Sequence, residues 1–175
     1  MDRSIQVNIF TATHRILGHI TPGAPGLFSY LNRPTESYVE IEDGLLSPLH
    51  QITEEGDSCK QLWLVKTEIA ALMVGGRSEL GPGGATRAGY TKPFPHWVRI
   101  LLGGYELRGL IESGARFDFG ALLFEGDVRF VPLYNASLAA ILFPRVQSDA
   151  AAMVFNRSMV HGINLLPREE IPSYD

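Results

Sequence analysis

From Ile5 to Phe10 the chain alternates, with Ile5, Val7 and Ile9 on one face and Gln6 and Asn8 on the other. A period of two marks a half-buried strand. Residues 11–13 make a turn, and residues 15–21 read as the return strand, carrying one glycine, Gly18. Pro22-Gly23-Ala24-Pro25-Gly26 breaks regular structure, and the short apolar run 27–32 is either a single helical turn or a buried loop. Residues 37–42 read as a strand and Asp43-Gly44 as a tight hairpin turn, since both positions tolerate positive φ. Residues 45–51 follow as the next strand, bent or at an edge where Pro48 falls. Beyond a polar, acidic loop over 53–58, residues 62–74 close the unit as a strand interrupted near Lys66–Glu68.

The same pattern occurs again ninety-one positions later. Val98, Ile100, Leu107, Gly109 and Ile111 fall on Val7, Ile9, Ile16, Gly18 and Ile20. Near the other end, Phe155, Arg157, Ser158, Val160 and Ile163 fall on Leu64, Lys66, Thr67, Ile69 and Leu72. In between, Asn135-Ala136 takes the place of Asp43-Gly44 at an offset of ninety-two. Residues 96–102 and 105–113 form a hairpin around Gly103-Gly104, and the apolar run 117–125 stands where 27–32 stood. An offset kept at both ends of a unit points to an internal duplication.

Five short strands per copy, spaced about ten residues apart, predict an all-β chain of two tandem five-stranded antiparallel barrels. Gly18 and Gly109 sit mid-strand, where glycine is costly unless the backbone bends sharply or is closely approached. They are therefore structural candidates. The expected organisation is a first unit over 1–74, a linker over 75–95, a second unit over 96–165 and a polar tail over 166–175. The linker assignment rests on six Gly and three Pro in its 21 residues, with Gly81-Pro82-Gly83-Gly84 as the loosest point.

Charge narrows the range of functions. The 175 residues carry a net −4, all of it in the first half: residues 1–84 hold 6 basic and 10 acidic side chains, residues 85–175 hold 9 of each. Neither half has the basic excess on which counterion release depends, so nucleic acid is a disfavoured partner. Cys59 is the single cysteine, which excludes an intrachain disulfide framework and suits a reducing compartment. No run has the length of a membrane span and the N-terminus lacks the pattern of a signal peptide, so a cytoplasmic location and no membrane partner are expected.

With the strand order in hand, each unit resembles the Sm-like fold. VRILLGGYELRGLI (98–111) is similar to that family's first signature, an apolar-x-apolar strand, a Gly turn, then apolar-x-Gly-apolar; VNIFTATHRILGHI (7–20) is a second copy without the turn glycine. The family follows this with an Asp and an Asn shaping a nucleotide pocket, and Asp118 and Asn32 lie in those neighbourhoods. Arg157-Ser158-Met159-Val160 and Lys66-Thr67-Glu68-Ile69 look similar to its second, basic-Gly signature, each one residue shorter and without the glycine. The resemblance implies the fold and, as an alternative function, an RNA-binding regulatory module.

The remaining residues offer little catalytic chemistry. His14, His19, His50, His96 and His161 lack the short spacings of a metal site. Glu54, Glu55 and Asp57 lack the spacing of a Ca²⁺ loop, and no nucleophile elbow, phosphate loop or dinucleotide fingerprint is present. No enzyme, metal or cofactor is expected. Lys66 and Arg157, each beside a hydroxyl (Thr67, Ser158), are the candidate binding residues, for an anion or a partner's carboxylate. The leading expectation is a non-enzymatic module for protein–protein interaction or assembly, with self or another protein, through exposed edge strands.

Overall fold

A computed structural model describes residues 3–52, 56–81, 93–114, 116–167 and 170. The first half runs β1 (Ile5–Phe10), β2 (His14–Ile20), α1 (Leu27–Leu31), β3 (Tyr38–Pro48), a 3-10 turn (Leu49–Gln51), β4 (Asp57–Val65), a second 3-10 turn (Lys66–Glu68), β5 (Ala71–Val74) and α2 (Arg77–Leu80). The second half runs β6 (Phe94–Leu102), β7 (Tyr105–Ser113), α3 (Phe119–Phe124), β8 (Phe130–Ala140), β9 (Gln147–Asn156), a 3-10 turn (Arg157–Met159) and β10 (Val160–Leu165). The all-β class predicted from the alternation is what forms, every strand pairing being antiparallel.

All ten strands belong to one sheet, in the order β10-β6-β7-β8-β9-β5-β1-β2-β3-β4. The pairing does not close on itself, and the ten strands form one sheet where two small five-stranded barrels were expected. The reason lies in β5. One of its edges pairs with β1, and the other is taken by β9 of the second half, with Ala71 opposite Phe155 and Val74 opposite Ala152. Within each half the order is nonetheless the same: last strand, first, second, third, fourth.

The predicted hairpin turn at Asp43-Gly44 is also corrected. Asp43 does take a positive φ of 48°, but β3 runs straight through it as one eleven-residue strand. Asn135, at φ 45°, does the same inside β8. Each marks a bulge, where an extra residue increases twist and bends the strand. Opposite each bulge lies one of the mid-strand glycines: pairing slips between Leu17 and His19, and again between Arg108 and Leu110. A Cβ on Gly18 would stand 2.5 Å from Ile41 Cγ2 and 3.0 Å from the Glu42 carbonyl; one on Gly109 would stand 2.7 Å from Leu133 Cγ and 3.0 Å from the Tyr134 carbonyl. Both glycines are thus closely approached by the neighbouring strand, at the points where it bulges. Five strands form in each half with a different partition, because Tyr38–Pro48 is one strand and 62–74 belongs to two, broken at Lys66–Glu68.

The hairpin at Gly103-Gly104 forms as predicted. Both glycines have positive φ and Leu102 pairs with Tyr105, the geometry that matches strand twist in a two-residue turn. The Gly- and Pro-rich segment after β5 is more ordered at its start than a linker requires, since α2 buries Leu80 against Leu27 and Leu31 of α1. Of Gly81-Pro82-Gly83-Gly84 only Gly81 lies among the described residues, as does only Asp57 of Glu54, Glu55 and Asp57.

Two apolar cores form, one per half, and each borrows from the other. The first contains Ile9, Ile20, Val39 and Leu72 but also Phe130 and Val154 of the second half. The second contains Ile100, Leu107, Leu133 and Phe155 but also Phe10, Ala71 and Met73 of the first. No helix among the described residues is long and apolar enough to cross a membrane.

Candidate functional site

Lys66 and Arg157 occupy the same place in the two halves, at the start of the 3-10 turn that follows the fourth strand. Lys66 is only 3% exposed. Its Nζ donates to the carbonyls of Tyr30 (3.0 Å) and Arg33 (3.2 Å) and lies 5.6 Å from the centre of the Tyr30 ring. Those carbonyls lie at the end of α1, where a helix leaves acceptors unpaired. Burial pulls the Lys66 ammonium below its ordinary pKa; Glu36 works against that, while Arg33 and Arg129 reinforce it. The Arg157 guanidinium does the corresponding work at α3, donating to the carbonyls of Leu122, Glu125 and Gly126. Each cation thus ties a strand end to the helix of its own half. Thr67 is exposed. Ser158 caps back, its N–H and Oγ both donating to Asn156 Oδ1. The four residues form two separate turns, one in each half, and not one shared pocket.

The junction between the halves is built of different residues. Met73 and Met153 face each other in the centre of the β5–β9 pairing. At its end the fully buried Asn156 donates its N–H to the Ala70 carbonyl (2.9 Å) and Nδ2 to the Ile69 carbonyl (3.0 Å). Asn32, just past α1, accepts at Oδ1 from the N–H groups of Arg129 and Phe130, both 2.8 Å, and donates to the Phe130 carbonyl. Tyr105 donates its hydroxyl to the Thr11 carbonyl, and burial raises its pKa above the ordinary range. Arg77 pairs with Glu112 at 2.7 Å and lies 3.8 Å over the Tyr134 ring. Of the two residues tied to a nucleotide pocket by resemblance, Asn32 is thus spent on the junction and Asp118 caps α3 through Ala121 N–H. Asn156 left one trace in the sequence: it is polar where the first half has Val65, ninety-one positions earlier.

Arg99 and Arg108 face each other on β6 and β7 and share Glu106, at 2.6 and 3.0 Å. Burial acts to raise the Glu106 carboxyl, and the two guanidiniums outweigh it and hold it below the usual carboxylate range. Arg108 also lines an open hollow of about 590 Å³ with Trp97, Asn135, Ser137, Asp149 and Glu170. Among the described residues no group of three or more His, Cys, Asp or Glu is arranged to hold a metal ion.

Two strands end the sheet: β4 on one side and β10 on the other. Among the described residues, each leaves one row of main-chain donors and acceptors without a neighbouring strand of the sheet, a template for adding another strand. Compared with family models, curated proteins and solved structures, the chain gives no match to any of them.

Proposed function

We propose that the chain is a non-enzymatic assembly module of two tandem Sm-like units, acting through protein–protein contact at its strand edges in a reducing compartment. The observation that carries this reading is the β5–β9 pairing, in which edge addition already joins one half to the other. The recurrence of one strand order in both halves supports the kinship of the units with the Sm-like fold. The engagement of Lys66 and Arg157 with carbonyls of their own halves favours a protein partner over nucleic acid.

The absorbance of untreated purified protein at 260 and 280 nm tests the class of partner. A plain protein spectrum, unchanged after a high-salt wash, is the expected result. An excess at 260 nm that salt removes would mark phosphate-backbone binding and replace this reading with the nucleic-acid one.

A further inference from the structure

Past its last strand the second half repeats the residues with which the first half closes its core. At the offset of ninety-one, Arg77-Ser78-Glu79-Leu80 of α2 falls on Arg168-Glu169-Glu170-Ile171. One hydrogen bond recurs with it. Glu79 N–H donates to the Gly76 carbonyl at 3.1 Å, and Glu170 N–H donates to the Pro167 carbonyl at 3.0 Å, each atom ninety-one positions on. The surroundings correspond as well. Glu79 shares a hollow with Gln6, Leu17 and Gly75, and Glu170 shares one with their counterparts Trp97, Arg108 and Leu166.

In the first half the residue after Glu79 fills the core. Leu80 is 1% exposed and packs with Ile20, Leu27 and Leu31. A Cβ on the next residue, Gly81, would stand 3.2 Å from Gly26 Cα, at the N-cap of α1. The matching place in the second half is a largely apolar hollow of about 750 Å³, lined by Ile111, Phe117, Ala121 and Leu122 together with Ser113 and the exposed Arg116. Ile111 is the counterpart of Ile20 at ninety-one, and Asp118, the N-cap of α3, is the counterpart of Gly26 at ninety-two. The first residues of the two helices differ in one respect: Leu27 is fully buried, and Phe119 is 41% exposed.

We infer that this hollow is a docking site for an aliphatic side chain on an acidic segment, and that residues 168–171 of the same chain occupy it. Ile171 then seats against Ile111 and α3 as Leu80 seats against Ile20 and α1. The connection needs no span, because Glu170 lies where Glu79 lies and the docking residue is the next one along. The charges agree too: Arg116 lines the hollow, and Glu169 and Glu170 precede Ile171. The correspondence ends at Ile171, since Gly81 holds a φ of 80° that the ring of Pro172 cannot take. The seat is separate from the strand edges proposed above.

Methyl nuclear magnetic resonance on the full chain reads the contact directly, with the Ile171 signals identified by their disappearance in Ile171→Val. Cross-relaxation between the Ile171 methyls and those of Ile111 or Leu122 is the expected result. Ile171 methyls with solvent-exposed shifts and no such cross-peaks would overturn the docking. So would cross-peaks found only between differently labelled chains, which would seat a second copy's segment in the hollow. The second arm is stability. Ile171→Asp is expected to lower the thermal midpoint by about 4–8 °C, the effect of losing one buried aliphatic side chain in a chain of this length. Ser173→Asp, which adds the same charge beyond the matched residues, is expected to leave the midpoint in place. Equal midpoints for Ile171→Asp and wild type would show that Ile171 is not buried and would end the proposal.

Discussion

Met73 and Met153 lie directly opposite one another where β5 meets β9, so the centre of the ten-stranded sheet is also the boundary between its two halves. Main-chain pairing and apolar burial cross that boundary together, which is why each core includes side chains of the other half. The halves should therefore unfold as one cooperative body, with coincident urea transitions by Trp fluorescence and by circular dichroism. Trp63 lies on β4 and Trp97 on β6, where it packs against the core of the first half, and a biphasic fluorescence transition would contradict this.

Lys66→Met should lower stability by about 1–3 kcal/mol, the cost of taking a charged donor from two carbonyls of half-buried residues, of which Tyr30 keeps the Arg33 N–H. The two carbonyls at stake are those of Tyr30 and Arg33. Equilibrium urea denaturation measures it. Because the ammonium is held below its ordinary pKa, its contribution has a definite sign with pH: folding favours the neutral amine relative to the unfolded chain, so this group adds stability as pH rises through its folded pKa toward 10.5. Lys66→Met removes that dependence.

Gly109→Ala should cost about 1–3 kcal/mol, the usual range for forcing an extra methyl into a packed site. Its Cβ would meet both a side chain and the Tyr134 carbonyl, and the backbone atom cannot swing aside. Gly162→Ala is the control, because nothing lies within 4 Å of the added carbon. Thermal midpoints should separate the two variants clearly.

Asn156→Val places the first copy's residue at the second copy's turn. The fully buried Ile69 loses the donor to its carbonyl, and the exposed Ser158 loses its acceptor. A loss of about 1–3 kcal/mol is expected, read from urea midpoints. A neutral outcome would mean that the apolar gain offsets the lost bonds.

Glu106→Gln tests the ion triad by pH. The carboxyl is held below its ordinary value of 4.5, so its stabilising effect is fully present above that pH and disappears as pH falls through the folded-state value. The wild type should lose stability on acidification more steeply than Glu106→Gln over that interval, measured by thermal midpoint against pH.

Features that depend on neighbours a few residues apart were legible in the order of the amino acids. Period-two alternation fixes faces locally, so β1 was legible to its ends and the all-β class followed. The Gly103-Gly104 turn and the break at Lys66–Glu68 were legible for the same reason. So was the demand for glycine at 18 and 109, since a mid-strand glycine needs something close above it. Only the tertiary structure decided what Asp43 does. A hairpin turn and a bulge both require positive φ, and the choice between them is made by β2, which pairs with β3 on both sides of Asp43, from Glu42 to Pro48, and slips where Gly18 lets Ile41 approach. It also decided the roles of Lys66, Arg157, Asn32 and Asn156, whose partners lie some 31 to 98 residues away. A basic residue beside a hydroxyl looks the same in sequence whether it awaits a ligand or holds a helix end. Burial, which follows from long-range packing, separates the two.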